Sequence, residues 1–272
     1  MRWLLAFLIT VAASTGAAAQ GFSDWAAVVV AADFRDGRGG EIENFDNARR
    51  DVVSALGRAG FAAPNIVQLS AAAQEPGVAE TTLRNFAEAG ATATARARTG
   101  CLFYFTSHGS PQGIVFGREG GLTPEMLGQA LDAWCAGRPT VVVVSACFSG
   151  VFVPVLSSPE RMVLTAARPD RSSFGCSAGS RYPYFDACVL QVLPRSRDFT
   201  ALGPLAQACV TAREQAEGLS PPSEPQVFVG EQVRPVLASL PLNGARGRAA
   251  AAPRSGSSVG AGVSADLRTG GK

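Results

Sequence analysis

TVVVVSACFSG, Thr140 to Gly150, is the stretch on which the fold turns. Its first half is a short β-branched run and predicts a strand over Thr140–Ser145; its second half breaks into small residues around Cys147. Upstream, CLFYFTSHGS (Cys101 to Ser110) has the same arrangement: a strand over Cys101–Thr106, then the chain's one histidine, His108, followed by Gly109. Between them Thr123-Pro124-Glu125 opens a helix that runs to about Ala136, with Thr at the cap and Pro at the first helical position. A strand, a helix and a strand in that order give two strands pointing the same way through a right-handed crossover.

The same alternation extends outward. AAVVVAA (Ala26–Ala32) reads as a buried strand, because it is apolar without alternation. Ala48, Val52, Val53, Leu56 and Ala59 follow helical spacing from Asn47 to Ala59, and Gly60 suits the C-terminal cap. NIVQL (Asn65–Leu69) is a strand, Ala79–Ala89 a helix, and GIVF (Gly113–Phe116) the start of a small hairpin. RMVLTA (Arg161–Ala166) is a further strand, helices follow near Tyr184–Leu193 and Ala201–Glu217, and QVFV (Gln226–Val229) closes the domain. Strands alternating with helices predict an α/β fold, a mostly parallel sheet with helices on both faces.

Composition bounds the rest. Hydrophobic residues make up 47% of the chain and the net charge is +2, with no Lys/Arg cluster to serve a nucleic-acid groove. Residues 1–19 read as a signal peptide: a positive start, an apolar run from Trp3 to Ala13 too short to span a bilayer, and small residues Ala17–Ala19 before a cut at Gln20. The expected location is therefore periplasmic or secreted, with no stable membrane span. Residues 20–240 form the expected domain, and 241–272, rich in Gly, Ala, Ser and Arg, an expected disordered tail. Six cysteines without a C-x-x-C pair, beside a single histidine, give poor support for a zinc site, and no metal is expected. Export permits disulfides, and Cys176 with Cys188 is a candidate short-range pair, although connectivity is not readable from sequence. If one cysteine stays reduced to react, at least one other is left without an intramolecular partner.

Ligands of open parallel sheets sit beyond the carboxyl ends of the strands. His108 and Cys147 both lie just past such ends, so if the two strands are neighbours, imidazole and thiol emerge on one edge. Taken alone, a cysteine at a strand end is most often a small buried hydrophobe, and a lone histidine is more often structural. Together, at matching strand ends and next to small-residue loops, they suit acyl transfer. The imidazole favours the thiolate and donates a proton to a leaving amine. Gly109 lets a substrate carbonyl approach the backbone, and the amides of Gly109 and Cys147 are candidate oxyanion donors. A serine hydrolase built on Ser145 or Ser149 lacks a G-x-S-x-G elbow.

FYFTSHGS followed by GIVF, then VVVVSACFSG, then VLTAARPDRSSFGCSAGSRYPYFD (Val163–Asp186) resembles the legumain-like cysteine peptidases of the caspase-like clan, which include the catalytic subunit of the GPI transamidase. The similarity spans about Ala26 to Leu193. It implies a caspase-like three-layer sandwich and a cysteine endopeptidase that takes peptide or protein substrates and needs no cofactor. By this resemblance His108 is the acid and base, Cys147 the nucleophile, Gly109 and Cys147 the oxyanion donors, and Asn44 in IENFD the residue that orients the histidine. Ser172, Ser173 and Asp186 would line the pocket for the residue before the cut. Two departures bear on that pocket. Asp46 stands two after Asn44, where the family carries arginine, and Ser145 replaces the family's acidic residue before Ala-Cys. A one-sided acidic pocket favours Lys or Arg; Arg49 or Arg50 swinging in restores Asn or Asp. The alternatives are a transpeptidase or ligase using the same acyl-enzyme, and a non-catalytic binding protein on a peptidase scaffold. The segment after Gln20 and the tail after Pro241 are both candidates to block the cleft of a zymogen.

Overall fold

The computed structural model describes residues 21–72, 75–118 and 120–242. The signal peptide expected over 1–19 lies outside them, as does the expected tail beyond 242. The core itself runs on to Leu242, which is buried and donates its N–H to the Arg197 carbonyl at 2.9 Å, two residues past the expected boundary.

The main sheet has seven strands: β1 (Trp25–Ala31), β2 (Ile66–Ser70), β3 (Val78–Glu80), β4 (Gly100–Thr106), β8 (Thr140–Ser145), β9 (Arg161–Thr165) and β10 (Gln226–Val229), in the order β10-β9-β8-β4-β1-β2-β3. All pairings are parallel except that of β10 with β9. A second, three-stranded antiparallel sheet joins β5 (Gly109–Ser110), β6 (Gly113–Val115) and β7 (Gly121–Leu122), so the expected hairpin has a third strand. The helices are α1 (Asn44–Ala59), α2 (Leu83–Arg96), α3 (Pro124–Cys135), α4 (Phe152–Leu156), α5 (Tyr184–Val192), α6 (Phe199–Ala216) and α7 (Val233–Ser239).

Alternation along the buried strands sorts side chains to the two faces, as the pleat requires. Trp25, Ala27, Val29, Leu102, Tyr104, Val141 and Val143 face α1, α5, α6 and α7; Ala26, Val28, Val30, Phe103, Phe105, Val142 and Val144 face α2, α3 and α4. The three-layer α/β sandwich expected from the sequence is the fold observed.

Three local expectations need correction. Val78–Glu80 is a strand and the helix begins only at Leu83, because Thr82 caps it by accepting from the Asn85 N–H at 3.1 Å. The helix expected from Asn47 begins at Asn44. Cys176 does not pair with Cys188: the disulfides join Cys101 to Cys135 and Cys188 to Cys209, tying β4 to α3 and α5 to α6, while Cys147 and Cys176 are free.

Candidate active site

The chain leaves β1 for β2 and β3 on one side, then returns to lay β4 on the other, so the crevice beyond β1 and β4 is a topological switch point. β8 lies next to β4, and Thr106 is paired with Ser145. His108 and Cys147 each stand two residues beyond that last pair, at equivalent positions on adjacent strands. Their loops meet backbone to backbone. A Cβ at Gly109 would lie 2.1 Å from the Cys147 carbonyl oxygen, so glycine there is a condition of the contact.

The turn after Cys147 is tight. Phe148 has φ of 56°, in the left-handed region that non-glycine residues seldom occupy, and its N–H donates to the Arg171 carbonyl at 2.7 Å. Ser149 is buried and its Oγ accepts from the Ala167 N–H at 3.2 Å. Ser145 Oγ donates to Asp186. Both serines considered as nucleophiles are therefore occupied in holding the turn and the helix behind it, whereas the thiol of Cys147 is half-buried.

The imidazole is held from two sides. Nε2 lies 2.8 Å from the carbonyl oxygen of Arg35, in the loop after β1. A carbonyl can only accept, so Nε2 carries the proton and Nδ1 of the neutral ring keeps its lone pair. The Phe45 ring meets the imidazole edge-on at 5.1 Å between centroids. The Arg35 carbonyl is itself braced by the buried Asp33, whose Oδ1 accepts from the N–H groups of Phe34 (2.8 Å) and Arg35 (3.2 Å) and from Arg35 Nε (3.1 Å).

Asn44 does not meet the imidazole. Fully buried, it donates from Nδ2 to the Gly175 carbonyl at 3.0 Å and accepts the Phe45 N–H on Oδ1 at 2.8 Å. It therefore ties the start of α1 to the loop beyond β9, and the role expected for it at the histidine is taken by a backbone carbonyl.

That loop lies over the thiol. The Ser173 N–H donates to Cys147 Sγ at 3.2 Å, and Sγ is 3.5 Å from the Ser173 carbonyl and 3.6 Å from its Oγ. Ser172 is exposed. Beneath lies Asp186, in the first turn of α5 and wholly buried. It accepts from Tyr104 Oη at 2.5 Å, Thr106 Oγ1 at 2.7 Å and Ser145 Oγ at 2.9 Å. Burial is the main influence on its carboxyl, raising it to about 6 against the pull of the three hydroxyls. Burial likewise drives the Tyr104 phenol well above its usual range, reinforced by the charge of Asp186, so it stays a donor.

Asp46 is in different company. Burial works to raise its carboxyl, but hydrogen bonds from Arg49 and Ser70 and the charges of Arg49 and Arg50 outweigh this and hold it below the ordinary carboxylate value. Arg49 Nε is 2.7 Å from Oδ1 and Arg50 Nη2 2.6 Å from Oδ2, while both arginines continue to Glu75. Asp46 lines a cleft of about 610 Å³ with Phe34, Glu41, Arg50 and Arg118. The structure brings Ser145, Ser173 and Asp186 together with Cys147 and leaves Asp46 in an ion cluster with none of them among its partners.

Sequence reasoning missed Arg35, Phe45, Tyr104 and Thr106. A signal existed for two of them: Tyr104 and Thr106 sit two apart on one face of a buried strand, where hydroxyls need an acceptor.

Residues 88–208 match the model of the Peptidase C13 family, a stretch that runs from within α2 to within α6. It includes His108, Gly109, Cys147, Ser173 and Asp186; α1, with Asn44 and Asp46, precedes it. Among solved structures the fold is similar to that of caspase-1 from Spodoptera frugiperda, with a TM-score of 0.56 at 14% identity over 78% of this chain and 88% of that chain. No curated protein matches the chain.

Proposed function

We propose that this chain, a legumain-like cysteine peptidase with a caspase-like fold, is an exported endopeptidase that acts through a thioester on Cys147 with His108 as general acid and base. The observation that carries the reading is the pairing of Thr106 with Ser145, which sets the two residues at equivalent positions past neighbouring strands. Cys147 Sγ attacks the scissile carbonyl, and the N–H groups of Gly109 and Cys147 receive the developing oxyanion. His108 takes the thiol proton on Nδ1 and returns it to the leaving amine, while its Nε2 proton stays on the Arg35 carbonyl. Water then enters, gives its proton to His108 and hydrolyses the thioester.

Asp186 governs the side chain before the cut. Among the described residues no cation acts on it, so at neutral pH it is a buried carboxylate satisfied by hydroxyls. A side chain that brings N–H donors, Lys, Arg or Asn, completes the site, whereas Asp or Glu meets a like charge. Asp46, neutralised by Arg49 and Arg50, adds no second charge to this selection. Asn44 acts on the substrate side by fixing Gly175. Export is supported by two disulfides, which persist in oxidising compartments. Among the described residues no helix is long and apolar enough to cross a membrane.

The test is a mixed peptide library treated with the protein lacking residues 1–19 and with its Cys147→Ala variant, every new terminus being read by mass spectrometry. Cuts after Lys, Arg or Asn that vanish in the variant are expected. Cuts that persist in the variant would remove Cys147 from the mechanism, and new amide joins in place of free termini would make the enzyme a ligase.

A further inference from the structure

Cys176 is a second free thiol on the loop that covers Cys147, and the proposed mechanism gives it no task. Four cysteines are consumed in disulfides, and the two left over are Cys147 and Cys176. Ser173 contacts Cys147 Sγ through its N–H, carbonyl and hydroxyl at 3.2, 3.5 and 3.6 Å, and Cys176 follows three residues along the same loop. Cys176 packs against the apolar cluster of Ala31, Ile42 and Phe45, and the Phe45 ring meets the His108 imidazole at 5.1 Å between centroids, which places Cys176 beside the catalytic edge.

We infer that Cys147 and Cys176 form a site of oxidative modification, in which a hydroperoxide drives closure of a reversible Cys147–Cys176 disulfide that shuts the peptidase. The inference rests on Cys147 being the nucleophile of the proposed mechanism. In the first step the Cys147 thiolate attacks the outer oxygen of the hydroperoxide. The O–O bond breaks, an alcohol or water leaves, and Cys147 becomes a sulfenic acid. In the second step the Cys176 sulfur attacks the Cys147 sulfur. The S–O bond breaks, and hydroxide departs with the Cys176 proton as water. Two electrons pass from the two sulfurs to the peroxide, and a dithiol reductant returns them.

The order of events follows from the surroundings. Burial, with the charges of Cys147 and Asp186 behind it, pushes the Cys176 thiol far above the ordinary range, so Cys147 meets the oxidant first and Cys176 becomes competent to resolve it only when displacement of the loop relieves that burial. A disulfide brings its Cβ atoms to about 4 Å, so Ser173, in contact with Cys147 Sγ, must give way for Cys176 to reach it. Residues 171–183 form no helix or strand, so no ladder has to break for that displacement. The flanks are held, Gly175 by Asn44 and Phe174 by the Tyr184 N–H, which keeps Cys176 near while Ser173 moves. Without a resolving thiol the sulfenic acid proceeds to sulfinic acid, which thiols do not reverse.

The test treats the purified protein, fully reduced at these two thiols, with a small excess of hydrogen peroxide and maps its peptides without reduction. A Cys147–Cys176 cross-linked peptide is expected, together with activity that dithiothreitol restores. Cys176→Ser is expected to show full basal activity and a recovery at least about tenfold lower, with Cys147 found as sulfinic acid. A wild-type protein whose Cys147 goes to sulfinic acid with no cross-link overturns the inference, as does equal recovery in the variant. Because the cross-link is read by mass, the result stands even if the protein cleaves no peptide. Absence of cleavage with the cross-link present would count against the peptidase mechanism alone.

Discussion

Asp46 and Asp186 occupy the same kind of position: each is a buried carboxylate in the first turn of a helix, α1 and α5 respectively. Their surroundings send them opposite ways. Asp46 receives two guanidinium groups and is held below the usual carboxylate range; Asp186 receives three hydroxyls and no cation, and rises to about 6. The first has spent its charge on the fold. The second keeps an unneutralised charge behind the thiol loop, and it is this charge that the proposed selection of the side chain before the cut draws on.

Exchanging each carboxylate for its amide separates the two roles with the largest effects. Asp186→Asn keeps acceptor and volume but removes the charge, and kcat/KM on Lys and Arg substrates is expected to fall about 100-fold. Asp46→Asn leaves kcat/KM within about threefold but lowers stability by about 3 kcal/mol, since Arg49, 1% exposed, loses its main partner. Steady-state kinetics and urea unfolding read both; a large kinetic loss at Asp46 would erase the distinction.

The next effect is on pH dependence. As pH falls through about 6, Asp186 takes up a proton, so the preference for Lys over Asp before the cut is expected to shrink about tenfold. The ratio of kcat/KM values across that range measures it, and a flat ratio would place selection elsewhere.

Stability provides a further contrast with opposite signs. The carboxyl of Asp46 is lowered in the fold, so its contribution is present above the ordinary carboxylate value and is lost as pH falls below it. That of Asp186 is raised, so the fold favours its protonated form: stability is fully present at low pH and declines as pH rises from 3.8 through about 6. Asp186→Asn should therefore gain on the wild type between about pH 4 and about pH 7 in urea midpoints, while the deficit of Asp46→Asn should stay nearly constant over that range and narrow only as pH falls below the ordinary carboxylate value.

The smallest effect concerns the brace behind the imidazole. Asp33→Asn weakens the charged acceptor that holds the Arg35 loop, and a fewfold fall in kcat with KM unchanged is expected. An altered KM instead would assign Asp33 to substrate binding.

Sequence alone made the framework legible where side-chain type and strand position coincide. TVVVVS and CLFYFT marked two strands, the helix between them fixed their direction, and the small residues after each identified the loops that meet at Gly109. What stayed hidden depends on partners far along the chain or on atoms every residue has. The acceptor for His108 is a backbone carbonyl, which leaves no mark in residue type, whereas Asn44 was marked only by the family resemblance. The fate of Asp46 is set by Arg49 and Arg50 near in sequence, but also by Glu75 across the β2–β3 segment. The disulfides cross between helices and strands whose packing only the fold reveals, and Cys188 found Cys209 on α6 rather than its nearer neighbour.

The central claim, that His108 serves Cys147 across the β4–β8 edge, is tested most directly with one peptide sequence offered as an amide and as an activated aryl ester. An amine leaves only with a proton, whereas a phenolate departs without one. Cys147→Ala is expected to abolish both reactions. His108→Ala should cost about 10³-fold on the amide and at least about tenfold less on the ester. Cleavage of the amide by His108→Ala within a fewfold of wild type would contradict the account.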